Sequence, residues 1–537
     1  MAGMGATSFE GSESGGKVLN GKSVCLALPE GVGPECLQGK WEVDIHPQES
    51  RVLAFWDTFE WGLWFNGHIL YSTGGTYYLC AREGGWPGAV LCEERAGDRR
   101  RFWKDFETGA MRARLEGMLG LRGLAQVAEG TFRLRRCDAR NSEGKIVCRL
   151  EWSSLSAGKG RGEDLVHSCR VLPLTGYEPE AARLVQHLVR RGALTSGDDP
   201  LEALLRHVGR MPRLYTLRPV FGLKMDTPAR EGVGRIVRAI LEIAESNVPG
   251  IVSDLDTEFL HDYRICLRKV RSALSLVKDA YPADETRRIR IVLGDLARQT
   301  NRLRDLDVYL LARDEYRELL PPILRPALDG MFKDFSAERE QEVRRISLAM
   351  GAESTRRLFR EVKEFFAPET VHEPSPAACF PVGALVFRRI LKRYRKIRRI
   401  AANIGAETPD EAVHRLRIEC KKLRYLMEFF AELIPGGEGA ELLRLLRRLQ
   451  NRLGEFNDAL VQQRSLMNYW GQKRSGTKAA LAVGGLVAML HHRQQQARGL
   501  IDEALEGFCG GSTAAAFKQT FKQARVPATG TKRTARQ

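Results

Sequence analysis

At 537 residues, with 84 Lys+Arg against 67 Asp+Glu and a formal charge of +17, the chain is too long for one hydrophobic core and predicts two or three domains. A sequence pI near 9.5 favours polyanionic partners such as nucleic acid, polyphosphate or an anionic membrane surface. The 11 cysteines are odd in number and form no CxxC pair, which reduced thiols in a cytosolic protein explain better than disulfides do.

In chain order, residues 1–20 are Gly/Ser-rich, lack the apolar core of a secretory signal, and read as a flexible tail. Residues 21–175 alternate β-prone runs, such as HILYSTGGTYYLC and TFRLRRCDAR, with glycine turns and one helical patch, MRARLEGMLGLRGLAQ. That pattern predicts an antiparallel β barrel or sheet. Residues 176–229, punctuated by prolines, read as a helical linker, and 230–510 as long amphipathic helices. Residues 511–537 read as a basic C-terminal tail. The expected fold class is therefore multi-domain α+β, an antiparallel sheet followed by an all-α duplicated bundle. The most membrane-like run, AALAVGGLVAML from Ala479, is shorter than the roughly 20 residues a span needs, so a buried helix and no membrane insertion are expected.

The helical half repeats itself. HDYRICLRKVRS begins at His261 and HRLRIECKKLRY at His414, an offset of 153 residues. The same offset carries Arg304–Asp305 onto Asn457–Asp458. At about 100° per residue, positions +3, +7 and +10 from each histidine fall within roughly a quarter-turn. His261, Arg264, Arg268 and Arg271 thus share one face, as do His414, Arg417, Lys421 and Arg424. Tyr263, Val270, Ala273 and Val277 oppose the first ladder, and Leu416, Leu423, Leu426 and Phe430 the second. Like charges one turn apart repel by a few tenths of a kcal/mol per pair, and neither ladder is interleaved with glutamate. An anionic ligand that offsets this repulsion is the expected reason. The helix before the second ladder, FRRILKRYRKIRRI, has eight cations and no acid. Ile390, Tyr394 and Ile397 form its packing seam, while Arg388, Arg389, Lys392, Arg393 and Lys396 face other directions. Arg304 joins these candidates. Asp305 and Asp458 read equally as braces for nearby cations or as plain surface aspartates.

These ladders resemble the CHAD domain, the "conserved histidine α-helical domain", over about 230–510, with repeats at about 230–350 and 380–510. The resemblance implies two pseudo-symmetric helical bundles whose basic surface binds inorganic polyphosphate. It carries that role onto His261, Arg264, Arg268, Lys269 and Arg271, and onto His414, Arg417, Lys421, Lys422 and Arg424. The N-terminal region resembles a degenerate CYTH domain, the triphosphate-tunnel barrel, through KSVCLALPEGV and FWDTFEWGLW. The ExExK motif of that family would fall on Gly21, Ser23 and Cys25, none of which supplies a carboxylate for a divalent ion. Metal-assisted triphosphate hydrolysis is thus disfavoured, and no catalytic residue, metal or cofactor is expected.

The expected function is non-catalytic binding of inorganic polyphosphate in the cytoplasm, with polyphosphate granules as a candidate location. Nucleic acid ranks second, because stacking aromatics are not interleaved with the cations and no groove-docking motif is present. A CYTH-type triphosphatase and a scaffold for an acidic protein rank below. No P-loop, GxSxG or HExxH motif is present. Arginines around the two histidines should disfavour imidazolium, so polyanion binding is expected to tighten as pH falls from about 8 to 6.

Overall fold

A computed structural model describes residues 23–82, 89–95, 101–159, 162, 164–194, 199–405, 408–472 and 476–522. The chain divides into two compact units, Met1–Tyr215 and Thr216–Gln537.

The first unit is built on strands β1 (Val24–Leu28), β2 (Glu42–Ile45), β3 (Glu49–Asp57), β4 (His68–Thr73), β5 (Thr76–Ala81), β6 (Val90–Arg95), β7 (Ala125–Arg140), β8 (Ile146–Ala157) and β9 (Asp164–Pro173). Helices α1 (Gly62–Phe65), α2 (Ala110–Leu119), α3 (Glu178–Arg190) and α4 (Pro200–His207) accompany them. All pairings are antiparallel in the order β1-β9-β8-β7-β3-β4-β5-β6, with β2 on the far end of β7. The end strands β1 and β6 do not pair with each other among the described residues. The β4–β5 turn is Gly74–Gly75, both at positive φ, as a two-residue hairpin requires.

Period-two alternation gives each face its own cover. Leu26, Leu150, Val171 and Cys169 point outward onto Leu184 and Leu188 of α3. The other face curves around a cavity of about 260 Å³ reached by side chains from β1, β3, β4, β5, β7, β8 and β9. Helix α4 seats Leu201, Leu204 and Leu205 in a cluster with Leu53, Phe55 and Leu155. A Cβ on Gly130 would come within 3.2 Å of Leu204 and 2.8 Å of the Ser156 carbonyl, so only glycine permits this close approach. Helices α3 and α4 are therefore not a linker, as the prolines around them suggest, but part of this unit's core.

The second unit contains α5 (Ala229–Val252), α6 (Thr257–Leu276), α7 (Ala283–Gln299), α8 (Asn301–Leu311), α9 (Arg313–Glu318), α10 (Asp329–Gly351) and α11 (Glu353–Phe365). Then follow α12 (Val382–Ala401), α13 (Asp410–Phe429), α14 (Gly436–Gln472), α15 (Thr477–Gly499), α16 (Ile501–Cys509) and α17 (Gly511–Lys522). Asp256 caps α6 by accepting from the Glu258 and Phe259 amides, and Pro381 and Pro409 precede α12 and α13.

The duplication is visible in the backbone. Ala229 donates to the Phe380 carbonyl at 2.9 Å and Val382 to Thr227 at 2.8 Å. Arg230 donates to Ala378 at 3.0 Å and Gly383 to Met225 at 3.1 Å. Shifting either bond of each pair by 153 residues generates the other, and Pro228 faces Pro381, its own equivalent. Reciprocal contacts of this kind define a pseudo-twofold axis. The 153-residue offset is thus the symmetry operation of the helical unit.

The segment from Ala479 lies in α15, where Ala482, Val483, Leu486 and Leu490 are buried in a core cluster. No helix among the described residues is long and apolar enough to cross a membrane. The C-terminal tail begins later than expected: α17 buries Phe517 and Phe521, with Phe517 stacked on Tyr394 of α12. Beyond Lys522 the tail lies outside the described residues.

Candidate polyanion-binding surface

Helices α6 and α13 lie against each other, each anchored by the apolar face read from its sequence. Tyr263, Val270, Ala273, Leu416, Leu423, Leu426 and Phe430 are fully buried, and Val277 nearly so. That anchoring turns the two cationic faces toward a common region. Arg268 and Lys421 are equivalent under the 153-residue shift, and they interact electrostatically across the two repeats. Burial, then the charges of Arg417, Arg268 and Arg424, push the Lys421 ammonium down to about 8, with Asp458 opposing. Burial also lowers the Arg417 guanidinium, Asp458 opposing and Arg268 adding to the shift.

The +3 arginines brace the ladders. Arg264 donates to the Ala297 carbonyl at 2.6 Å, Thr300 Oγ1 at 2.7 Å and Asn301 Oδ1 at 2.8 Å. Arg417 reaches Asp458 Oδ1 at 3.2 Å. Next to it, His414 Nδ1 lies 2.6 Å from Asn457 Oδ1. Asp458 is therefore a brace, and Asp305 sits within the electrostatic reach of Arg264, Arg302 and Arg304. His261 is half-buried on α6, on the same face as Arg264.

Several candidates are committed elsewhere. Lys269 is buried, and its ammonium donates to the Leu217 carbonyl. Arg304 turns toward the start of α6, 3.9 Å from Glu258. Arg389 binds the carbonyls of Leu276 and Lys278 at the end of α6. Glu419 accepts from Arg393, from Lys396 at 3.2 Å and from Lys422 at 3.0 Å. Glutamate does therefore occur within the second motif, and it neutralises part of the basic helix α12, a correction to the reading of that helix as uncompensated. Burial raises the Glu419 carboxyl, but the hydrogen bond from Lys422 and the Arg393 and Lys396 contacts outweigh it and hold the group below its ordinary range.

What remains open is a connected set of clefts. One of about 380 Å³ has Arg268 and Arg271 of α6 on one wall and Arg287, Arg290 and Arg298 of α7 on the other. Burial, with Arg290 and Arg298, lowers the Arg271 guanidinium. A second cleft of about 800 Å³ runs along α12 and is lined by Lys278, Arg388, Lys392, Arg395 and Arg399. Ser275 borders both. The α7 cations were missed, although Arg287, Arg290, Gly294 and Arg298 follow the same helical spacing as the ladders. Arg424 stays half-buried, 3.9 Å from Glu428. Guanidinium forks on facing walls suit a ligand with repeated tetrahedral oxyanions.

Residues 235–467 match the family model of the CHAD domain. The chain carries a CHAD domain. Two Mycobacterium tuberculosis sequences, from strains CDC 1551 and H37Rv and each described as an uncharacterized protein, are 26% identical over 218 residues. That match spans 39% of this chain and about 40% of the length of those relatives. Among solved structures, the CHAD domain from the plant Ricinus communis is 21% identical with a TM-score of 0.42, covering 57% of this chain and 96% of that one. PptA from Streptomyces chartreusis is 16% identical with a TM-score of 0.41, covering 52% of this chain and 100% of its own.

In the first unit, Cys25 of β1 lines the cavity of the sheet. Ser23 precedes the strand and is exposed, while Gly21 lies outside the described residues. Among the described residues no three His, Cys, Asp or Glu groups gather as a metal-binding set.

Proposed function

We infer that the CHAD domain binds inorganic polyphosphate without turning it over. The observation that carries this reading is the meeting of Arg268 with Arg417 and Lys421 across the pseudo-twofold axis. Folding gathers like charges there and partly desolvates them, which costs stability unless a ligand offsets it. A linear polyanion does so by exchanging condensed counterions for guanidinium contacts. The two clefts that adjoin at Ser275 extend the track far enough for several phosphates. A bare phosphate chain accounts for the surface better than nucleic acid, because Tyr263, Tyr425 and Phe430 are buried and offer no stacking platform.

The first unit is read as non-catalytic. Cys25 lines the inner face at the position where the tunnel motif would place its lysine, and the inner carboxylates Glu49 and Glu151 are held by arginines. Cytoplasmic residence, with recruitment to polyphosphate granules, follows from the ligand.

The test is binding of long-chain polyphosphate, single-stranded RNA and triphosphate to the full chain, side by side. Long-chain polyphosphate should bind tightest and remain chemically intact. Its affinity should fall roughly 10³–10⁵ between 50 and 200 mM salt if six to ten phosphates are contacted. Displacement of polyphosphate by RNA at equal phosphate concentration would overturn the assignment.

A further inference from the structure

Between α12 and α17 the helical unit leaves an apolar groove of about 420 Å³. Its α12 wall is a single helical stripe of Ala384, Arg388, Leu391 and Arg395, spaced by three and four residues. From Ala384 to Arg395 the stripe runs about 16 Å along the helix axis. Leu385 and Phe521 are buried and form the floor, and Phe380, 55% exposed, stands at the start of α12. Arg388 and Arg395 are exposed on one wall and Lys522, at the end of α17, on the other. No carboxylate lines the groove among the described residues.

The equivalent face of the first repeat is built differently. A shift of 153 residues puts Glu231, Arg235, Arg238 and Glu242 of α5 where the stripe has Ala384, Arg388, Leu391 and Arg395. Arg235 pairs with Glu231 at 2.5 Å and donates to the Gly222 carbonyl at 2.6 Å, so that charge is answered from within the fold. In the second repeat alanine and arginine stand in place of the two glutamates, and leucine in place of Arg238. Arg388, Arg395 and Lys522 make no ion pair among the described residues. The residues beyond Lys522 include no Asp or Glu, so the chain's own continuation does not supply the missing acids. The first repeat folds without an apolar, cationic stripe at this place. The fold itself does not require one.

We propose that this groove docks an acidic amphipathic helix of a partner protein, with apolar anchors at i, i+4 and i+7 and glutamates or aspartates flanking them. The anchors cover Leu391, Phe521 and Phe380, and the acids meet Arg388, Arg395 and Lys522. A helix laid along a groove is recognised in this way, by apolar anchors from successive turns. A small-molecule pocket buries most of its ligand, whereas this groove opens beside the cleft along α12, with which it shares Arg388 and Arg395. The apolar floor separates the two sites chemically, because a bare phosphate chain has nothing to place on it.

The experiment is fluorescence anisotropy of the full chain with three labelled helical peptides. The first carries leucines at i, i+4 and i+7 flanked by glutamates, the second has alanine for each leucine, and the third has glutamine for each glutamate. The first should bind saturably and at least about tenfold tighter than either control. Leu391→Ser should weaken it by about tenfold or more and leave polyphosphate affinity unchanged. Leu348→Ser, at an exposed leucine of α10 outside the groove, should leave peptide binding unchanged. The comparison among peptides uses the unaltered chain, so it stands even where a variant fails to fold. Equal binding of the alanine peptide would reduce the effect to charge and overturn the proposal, as would equal binding of the glutamine peptide. Full affinity in Leu391→Ser, or no saturable binding of the first peptide up to about 1 mM, would overturn it too. Phosphatidylglycerol vesicles that bind the unaltered chain but not Leu391→Ser would give the groove to a membrane surface instead. A tenfold gain in peptide affinity on truncation after Lys522 would give it to the chain's own C-terminus, with the same consequence.

Discussion

Arg268 and Lys421, equivalent residues of the two repeats, meet across the pseudo-twofold axis closely enough for the arginine to lower the pKa of the lysine. With the free ammonium titrating near 8, a bound polyanion that restores its ordinary affinity for protons must take up protons on binding. Polyphosphate affinity should then fall about tenfold between pH 7 and 9 at fixed salt, and Lys421→Met should lose most of that dependence. Calorimetry in two buffers of different ionisation enthalpy reads the proton uptake directly. The sign for stability is opposite. Because the folded-state pKa is depressed, the unfolded chain holds more protons above about 8, so the ligand-free protein should gain stability relative to Lys421→Met as pH rises through that window.

The ladders were legible because a helix repeats every 3.6 residues and because two copies share one offset. The symmetric arrangement of Pro228 and Pro381 was written in that same offset. What failed was the assignment of the second cation of each Lys/Arg doublet. Lys269 and Lys422 lie at +8 from their histidines, about 80° round the helix and on the other side from positions +3, +7 and +10. One is buried and the other faces Glu419. Glu419 itself, at +5, points to α12, and only the packing of two helices reveals that it faces cations there. In the first unit, α3 and α4 carry leucines at helical spacing. The prolines around them have the spacing of linker punctuation, and nothing local distinguishes a helix that docks on a sheet from one that bridges domains.

Glu419 should behave as a structural counter-charge that restrains the binding surface. Its carboxylate is almost fully buried and shared by Arg393, Lys396 and Lys422. Glu419→Gln leaves these cations without their partner and should cost about 2 kcal/mol at pH 7, less than a fully buried pair because the lysines are solvated. It should also raise polyphosphate affinity by about threefold through the added net charge. Since the folded-state pKa is depressed, this stability is present above the ordinary glutamate range and is lost as pH falls through the lower folded value. Melting curves of both proteins should therefore converge in acid. A constant gap down to pH 3 would show that the loss is one of packing.

The contact between His414 and Asn457 ties α13 to α14. With Asn457 Oδ1 as acceptor, Nδ1 carries the proton, and the Asn457 amide in turn reaches Asp458 Oδ1 at 3.4 Å. Asn457→Ala should thus weaken polyphosphate binding although asparagine carries no charge. In a double-mutant cycle with His414→Ala the two losses should be non-additive by about 1 kcal/mol. Strict additivity would mean that the histidine is not oriented by this bond.

Arg268 and its neighbour Lys269 offer the sharpest division between a ligand-binding and a structural cation. Arg268 is exposed and makes no ion pair among the described residues, whereas Lys269 is buried against the Leu217 carbonyl. Burial lowers the Lys269 pKa, with Glu428 opposing, so its charge is already internal to the fold. Arg268→Gln removes one phosphate contact. It should reduce the slope of log affinity against log salt by about 0.7–0.9, while stability stays level or rises by a few tenths of a kcal/mol as like-charge repulsion is relieved. Lys269→Met should do the reverse, leaving the salt slope unchanged and shifting stability, because the partly buried Leu217 carbonyl loses its donor at a cost of about 1 kcal/mol. Two residues adjacent in sequence would then report on different processes. A reduced salt slope in Lys269→Met would place this lysine on the ligand, contrary to its position beneath Leu217.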